Sequence, residues 1–122
     1  MHLFDTNVLI DYLDGIAQAK DTLEKFSQKP AISVITWMEV MVGAKKMSQE
    51  QETRTRQFLA QFLLLPVTDD VSEHAVIICH ESKIKLPDTI IWATAQVNAR
   101  TLISLNLKDF GPESGAIMPY QI

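Results

Sequence analysis

The sequence predicts an α/β fold, a three-layer α/β/α sandwich built around a short, mainly parallel central sheet. Four apolar runs of four to six residues alternate with longer segments whose apolar residues recur at helical spacing. Strands that are apolar throughout indicate a sheet covered on both faces, as parallel sheets are. The length of 122 residues suits one domain, so we expect residues 1–122 to form a single unit.

The first half of the chain is predicted to contain two strands and four helices. Gly15 closes the first helix, and Thr36 is expected to cap the third. Ser48 and Gln51 have the spacing of a capping box, so a fourth helix is expected to begin there. In order, the segments are the strand HLFD, the helices NVLIDYLDG and IAQAKDTLEKFSQ, the strand AISV, and the helices TWMEVMVGAKK and SQEQETRTRQFLAQ.

The second half is predicted to contain two further strands and two helices. Acidic residues in the first turn favour the helix DDVSEHAVIICHESK, and Pro87 suits the first turn of the helix PDTIIWATAQVNA. The strands are FLLLPV and TLISL, and AIMPY is expected to form a short fifth strand. Because ligands of such sheets bind outside the carboxyl ends of the strands, polar residues at those ends are candidates for function.

Composition and charge exclude some classes of protein. No apolar run reaches the roughly 18–20 residues of a membrane helix, and a single cysteine, Cys79, indicates a reducing cytoplasm. The net charge of −4 argues against holding nucleic acid by bulk electrostatics. Local basic clusters leave two alternatives open, solvated helix faces or phosphate contacts. These clusters are Lys45, Lys46, Arg54 and Arg56, and Lys83 with Lys85.

Asp5 directly follows the first predicted strand, and two interpretations of it stay open. It can cap the next helix, which is an ordinary role for aspartate at that position. Alternatively, Thr6 and Asn7 cap that helix and leave Asp5 free to point into the crevice at the end of the sheet.

Four other residues are candidates for the same edge of the sheet. Glu39 stands among apolar residues of a helix predicted to be largely buried, so it needs a partner or a metal unless it lies with Thr36 on a narrow polar stripe that reaches the surface. Asp88 lies in a first helical turn, where an acid is also expected for the helix dipole. Asn106 and Asp109 follow the fourth strand, where they also suit a turn.

Several carboxylates at one place repel one another and need a cation. Ligands that are all oxygen favour Mg²⁺ or Mn²⁺ over zinc. The cysteine and histidines of the chain have no zinc-ligand spacing. The residues therefore predict a magnesium or manganese site at the carboxyl edge of the sheet.

Four blocks along the chain strengthen this interpretation. They are LFDTNVLIDYL, ISVITWMEVMVGA, LPDTIIWATA and TLISLNLKDF. In this order and spacing they resemble the PIN domain family, most closely its bacterial toxin branch, the VapC-like ribonucleases of toxin–antitoxin modules. The resemblance covers essentially the whole chain. It implies metal-dependent hydrolysis of RNA phosphodiester bonds, a cognate antitoxin protein as partner, and a homodimer.

The resemblance also implies site residues. Asp5 and Asp88 would bind the metal, and Glu39 would complete the acidic cluster. Asn106 stands where many relatives carry a fourth acid, and Asp109 would supply the missing negative charge. The catalytic set is thus predicted as Asp5, Glu39, Asp88, Asn106 and Asp109, supported by Thr6 and Asn7 and by the hydroxyl of Ser104.

Two alternatives to a nuclease are considered. If Asn106 leaves the site incomplete, the chain is a catalytically weak or inactive binding module that acts through protein partners. A phosphoacceptor receiver domain is of similar length and fold class, but it needs a lysine after a fifth strand, and the C-terminal AIMPYQI contains none.

Overall fold

Four strands and seven helices make up the part of the chain that the structure describes. The computed structural model describes residues 1–111 and 114–121, apart from the side chain of Asp109. In chain order the elements are β1 (His2–Phe4), α1 (Thr6–Leu13), α2 (Ala17–Lys25), β2 (Ala31–Ser33), α3 (Val34–Ala44), α4 (Gln49–Leu59), β3 (Leu63–Leu65), α5 (Asp69–Glu81), α6 (Leu86–Val97), β4 (Thr101–Ile103) and α7 (Leu107–Phe110).

The strands form one sheet in the order β3-β2-β1-β4, and each pairing is parallel. The chain runs from β1 outward to β2 and β3, and it then returns to place β4 on the other side of β1. Strand order therefore reverses between β1 and β4, which is where parallel α/β sheets open a crevice for ligands.

Helices cover both faces of the sheet, so the predicted three-layer α/β/α architecture is confirmed. Phe4, Ile32 and Ile103 are buried on one face against α1, α3 and α4. Leu3 and Leu102 are buried on the opposite face against α6, and α5 packs against α6. Burying side chains of this size stabilises the fold by roughly 1.5–3 kcal/mol each.

Helix caps show where local sequence determined the helix boundaries and where it did not. The capping box of Ser48 and Gln51 is present, and Pro87 lies in the first turn of α6, as predicted. The prediction that Thr36 caps α3 is wrong. Ser33 is the cap, since its hydroxyl accepts a hydrogen bond from the Ile35 N–H at 3.1 Å and thereby begins the helix three residues earlier.

The C-terminal segment differs from the prediction in two ways. Instead of a fifth strand, residues 116–120 form an isolated parallel bridge between Ile117 and Ile103. The turn expected at Asn106 and Asp109 is instead the entry to α7, with Asn106 at its N-cap. Within the described residues, no helix is both long and apolar enough to cross a membrane.

Candidate active site

Asp5 lies at the carboxyl end of β1. Its carboxylate is at the switch point of the sheet, which is the place between β1 and β4 where strand order reverses. Asp5 is 4% exposed and is also the N-cap of α1. Oδ1 accepts a hydrogen bond from the Thr6 N–H at 2.7 Å, and Oδ2 accepts one from the Ser104 hydroxyl, which follows β4, at 2.7 Å. The expectation that Thr6 or Asn7 caps α1 is therefore wrong. Asp5 caps the helix and occupies the crevice at the same time.

Burial raises the pKa of Asp5 from 3.8 to about 6. The hydrogen bonds from Ser104 and Thr6 oppose this increase, whereas the negative charges of Asp88 and Glu39 add to it. The carboxylates of Asp88 and Glu39 thus lie close enough to Asp5 to act on it electrostatically.

Glu39 of α3 is connected to this edge by hydrogen bonds that involve two threonine hydroxyls. Thr6 Oγ1 lies 2.6 Å from Glu39 Oε1 and 3.0 Å from Thr36 Oγ1. Because a hydroxyl carries one hydrogen, Thr6 donates it to the carboxylate and can accept one from Thr36. Charge-assisted hydrogen bonds of this length are among the stronger ones in proteins.

The prediction that Glu39 is buried is wrong, because the residue is exposed. It is the sixth residue of α3, in the second turn rather than the first. The hydroxyl partner that the sequence argument required is nevertheless present in Thr6. Thr36 was missed as a member of the site. The signal for it was its place three residues before Glu39, which puts both side chains on one side of the helix.

Ser104 connects Asp5 to the loop that follows β4. The Ser104 hydroxyl accepts hydrogen bonds from the Asn106 N–H at 3.0 Å and from Asn7 Nδ2 at 3.4 Å. These two donors direct its one hydrogen towards Asp5. Asn7 Oδ1 in turn accepts from the Leu105 N–H at 3.3 Å. The amide of Asn7 therefore fixes the loop that carries Asn106.

The two remaining acids of the predicted set are Asp88 and Asp109. Asp88 is the third residue of α6, in its first turn, and is half-buried. The side chain of Asp109, predicted to supply negative charge, lies outside the described residues. Among the side chains that the structure describes, no group of three His, Cys, Asp or Glu residues is arranged to hold a metal ion.

Comparison with known proteins gives consistent matches over almost the whole chain. The family model "PIN domain" matches residues 3–110. "Ribonuclease VapC10" of Mycobacterium tuberculosis is 31% identical over 117 residues, which cover 90% of this chain and 86% of that protein.

Solved structures resemble the chain equally well. A chain of a "Toxin-antitoxin complex from Klebsiella pneumoniae" is 49% identical, with a TM-score of 0.93 and 100% of each chain covered. A chain of FitAcB from Neisseria gonorrhoeae matches over 100% of both chains with a TM-score of 0.83, and at 21% identity it shows the shared fold. The chain belongs to the PIN domain family, in its VapC-like branch.

Proposed function

We propose that this chain is the toxin of a toxin–antitoxin pair and acts as a divalent-metal-dependent endoribonuclease. Its similarity to Ribonuclease VapC10 and to a chain of a toxin–antitoxin complex supports the activity and the partner class. One observation carries the chemistry. A buried carboxylate, Asp5, stands at the switch point of the sheet, and the charges of Asp88 and Glu39 act on it.

The donor set fits Mg²⁺ or Mn²⁺. Its members are carboxylate oxygens, which these hard cations prefer. Magnesium commonly retains several waters and takes one or two protein carboxylates together with substrate phosphate. Asp5 and Asp88 are therefore sufficient protein ligands, even though no described group of three acids converges. When bound, the cation would neutralise phosphate charge and lower the pKa of an attacking water.

The side chains around the acids have distinct roles in this proposal. Ser104 and the Thr6 N–H hold the Asp5 carboxylate in one orientation. Thr6 holds Oε1 of Glu39, and because Glu39 is exposed, its second oxygen is placed to accept a proton from the attacking water. Asn106 offers an amide oxygen and no charge, so Asp5 and Asp88 carry the charge on which the cation depends.

Self-association is the second part of the proposal. Apolar side chains are exposed on α3 and α5, where Met38 and Val42 are 45% and 62% exposed, and Val76 and Ile77 are 62% and 54% exposed. Exposed apolar residues grouped on helices mark interaction surfaces. We expect a homodimer and measure it by sedimentation equilibrium, where a monomer at micromolar concentration would contradict this part of the proposal.

The nuclease is tested with purified protein free of any partner. Labelled single-stranded and hairpin RNAs are incubated with Mg²⁺, Mn²⁺ or EDTA. We expect cleavage with either cation and none with EDTA. Cleavage at an unchanged rate in EDTA would contradict metal dependence. Absence of cleavage of a broad RNA panel by folded protein, with metal binding confirmed, would favour a binding module that acts through protein partners.

A further inference from the structure

A cavity of about 520 Å³ lies next to the candidate active site, and none of Asp5, Glu39 and Asp88 lines it. Residues of the loop after β4 and of the C-terminal segment form its walls, and they include Leu105, Asn106, Lys108 and Tyr120. Its volume is within the range of sites that bind small molecules or nucleotides. None of the roles assigned above to the acids uses this cavity.

Two hydrogen bonds connect the cavity wall to Asp5. The Asn106 N–H donates to Ser104 Oγ at 3.0 Å, and the Ser104 hydroxyl donates to Asp5 Oδ2 at 2.7 Å. Asn106 therefore belongs to the candidate active site and to the cavity. The cavity is thus continuous with the candidate active site at Asn106.

Both walls of the cavity are fixed to α1. The Tyr120 hydroxyl donates to Asp11 Oδ2 at 2.9 Å, which holds the C-terminal segment. One helical turn earlier, Asn7 Oδ1 accepts from the Leu105 N–H at 3.3 Å and holds the loop after β4. Because one face of one helix holds both walls, the cavity is preformed, which lowers the cost of ordering it on binding.

The lining groups suit a nucleotide. Leu105, Leu107 and Met118 provide apolar surface for the face of a base. Gln121 is exposed and has an amide that can both donate to and accept from a base edge. Lys108 is exposed, and no described acid forms an ion pair with it. An exposed ammonium group beside an apolar wall matches a phosphate linked to an unstacked base.

We propose that this cavity binds the nucleotide of single-stranded RNA adjacent to the cleaved phosphodiester, with its base against the apolar wall and its phosphate at Lys108. The inference rests on the proposed ribonuclease function and deepens it. It assigns Lys108 and Gln121 as substrate-binding residues, separate from the acids that act on the reacting phosphate.

The test measures binding apart from cleavage. Fluorescence anisotropy follows a fluorescein-labelled RNA of eight nucleotides, in EDTA and in Ca²⁺, over a series of salt concentrations. Each phosphate contact with single-stranded nucleic acid contributes about 0.7 to the slope of log affinity against log salt. We expect Lys108→Ala to lower this slope by about 0.7 and to weaken binding about fivefold at 0.1 M salt.

Lys46→Ala is the matched control, because Lys46 is also exposed. It follows the C-terminal end of α3, which is the end farther from the carboxyl edge of the sheet. We expect its slope to equal that of the wild-type protein. Gln121→Ala should change the relative affinity for four RNAs that differ in one base and leave the salt slope unchanged.

Three results would overturn the inference: equal slopes for Lys108→Ala and wild type, equal losses for Lys108→Ala and Lys46→Ala, or no RNA binding by wild type in both EDTA and Ca²⁺. Cleavage is assayed separately with Mn²⁺. If cleavage is absent while the Lys108-dependent binding is present, the proposed nuclease function fails and the nucleotide-binding site stands.

Discussion

Acidic side chains of α4 pair with basic side chains of the same surface, whereas the described hydrogen-bond partners of Asp5 and Glu39 at the carboxyl edge of the sheet carry no positive charge. Lys45 pairs with Glu52 at 2.5 Å, and Arg54 pairs with Glu50 at 2.6 Å. Arg56 lies over the ring of Trp37, 5.5 Å from its centroid. Three of the four basic residues in this cluster thus have partners within the chain, which favours a solvated surface over phosphate contacts.

At the sheet edge, the described partners of Asp5 and Glu39 are hydroxyl groups and a backbone N–H. The two regions therefore change carboxyl pKa values in opposite directions. The hydrogen bond from Lys45 holds the pKa of Glu52 below its usual value, whereas burial and neighbouring acids raise the pKa of Asp5. We therefore expect a bound cation to compensate the charges of Asp5 and Glu39, whereas lysine and arginine compensate the acids of α4.

The largest expected effect comes from removing the charge at the sheet edge. Asp5→Asn keeps the size of the side chain and loses its charge. We expect metal-dependent RNA cleavage to fall by about a hundred- to a thousandfold, the loss seen when a group that acts on the reacting charge is removed. Initial rates at saturating Mn²⁺ provide the measurement.

Asp21→Asn makes the same change on the exposed surface of α2 and is the control. Its cleavage rate should stay within twofold of wild type. Equal losses in both variants would mean that net charge, rather than the position of Asp5, controls the reaction.

A slightly smaller effect is expected on the pH dependence of the free energy of unfolding in the absence of metal. The folded-state pKa of Asp5, about 6, exceeds its ordinary value of 3.8, so between these values the folded state binds more protons than the unfolded state. Stability should therefore decrease as pH rises from about 4 to about 6. The full pKa difference corresponds to about 3 kcal/mol, which is an upper bound.

Urea unfolding in EDTA at several pH values between 4 and 7 measures this decrease. Asp5→Asn should lack the Asp5 contribution and be more stable than wild type at pH 7. Saturating Mg²⁺ should abolish the decrease in wild type. If the stability of wild type in EDTA rose with pH over this range as much as that of Asp5→Asn, the raised pKa of Asp5 would be contradicted.

An intermediate effect is expected at Ser104, which orients Asp5 without being a proposed ligand. Ser104→Ala removes the hydrogen bond to Oδ2 and also the acceptor for the Asn106 N–H. Groups that orient metal ligands typically contribute 10–100-fold to metal affinity, and we expect about this loss in the Mn²⁺ dissociation constant. Titration calorimetry measures it, and Ser72→Ala on the exposed surface of α5 is the control. Unchanged Mn²⁺ affinity would leave Ser104 with a packing role.

Sequence predicted the elements well because the strands are short runs that are apolar throughout and most helices repeat apolar residues at helical spacing. Asp5 was identified as a candidate because an acid follows a buried strand, and that position places it at the switch point. The sequence left the exposure of Glu39 open and did not decide it, because α3 is apolar on nearly every side and yet presents Met38 and Val42 to the surface. A helix of this pattern is expected to be buried, and only tertiary structure shows which face lacks a covering element.

Contacts between distant residues were the hardest to predict. That Ser104 meets Asp5 depends on β4 pairing beside β1, and strand order is not encoded in local periodicity. The connection from Thr6 to Glu39 likewise joins residues 33 positions apart. The resemblance implied that Thr6 and Ser104 support the site, but it gave neither the strand order nor the hydrogen bond from Thr6 to Glu39.

The smallest effect is expected on the α3–α4 surface. Lys45→Ala removes the exposed partner of Glu52. The lysine is exposed and screened by salt while Glu52 is half-buried, so this ion pair contributes little to stability and the melting temperature should change by no more than about 3 °C. RNA cleavage should stay within twofold of wild type, because this lysine neutralises a neighbouring acid rather than a phosphate. A clear loss of RNA affinity in Lys45→Ala, with a reduced salt slope, would show that the basic surface contacts RNA and that the two regions act together.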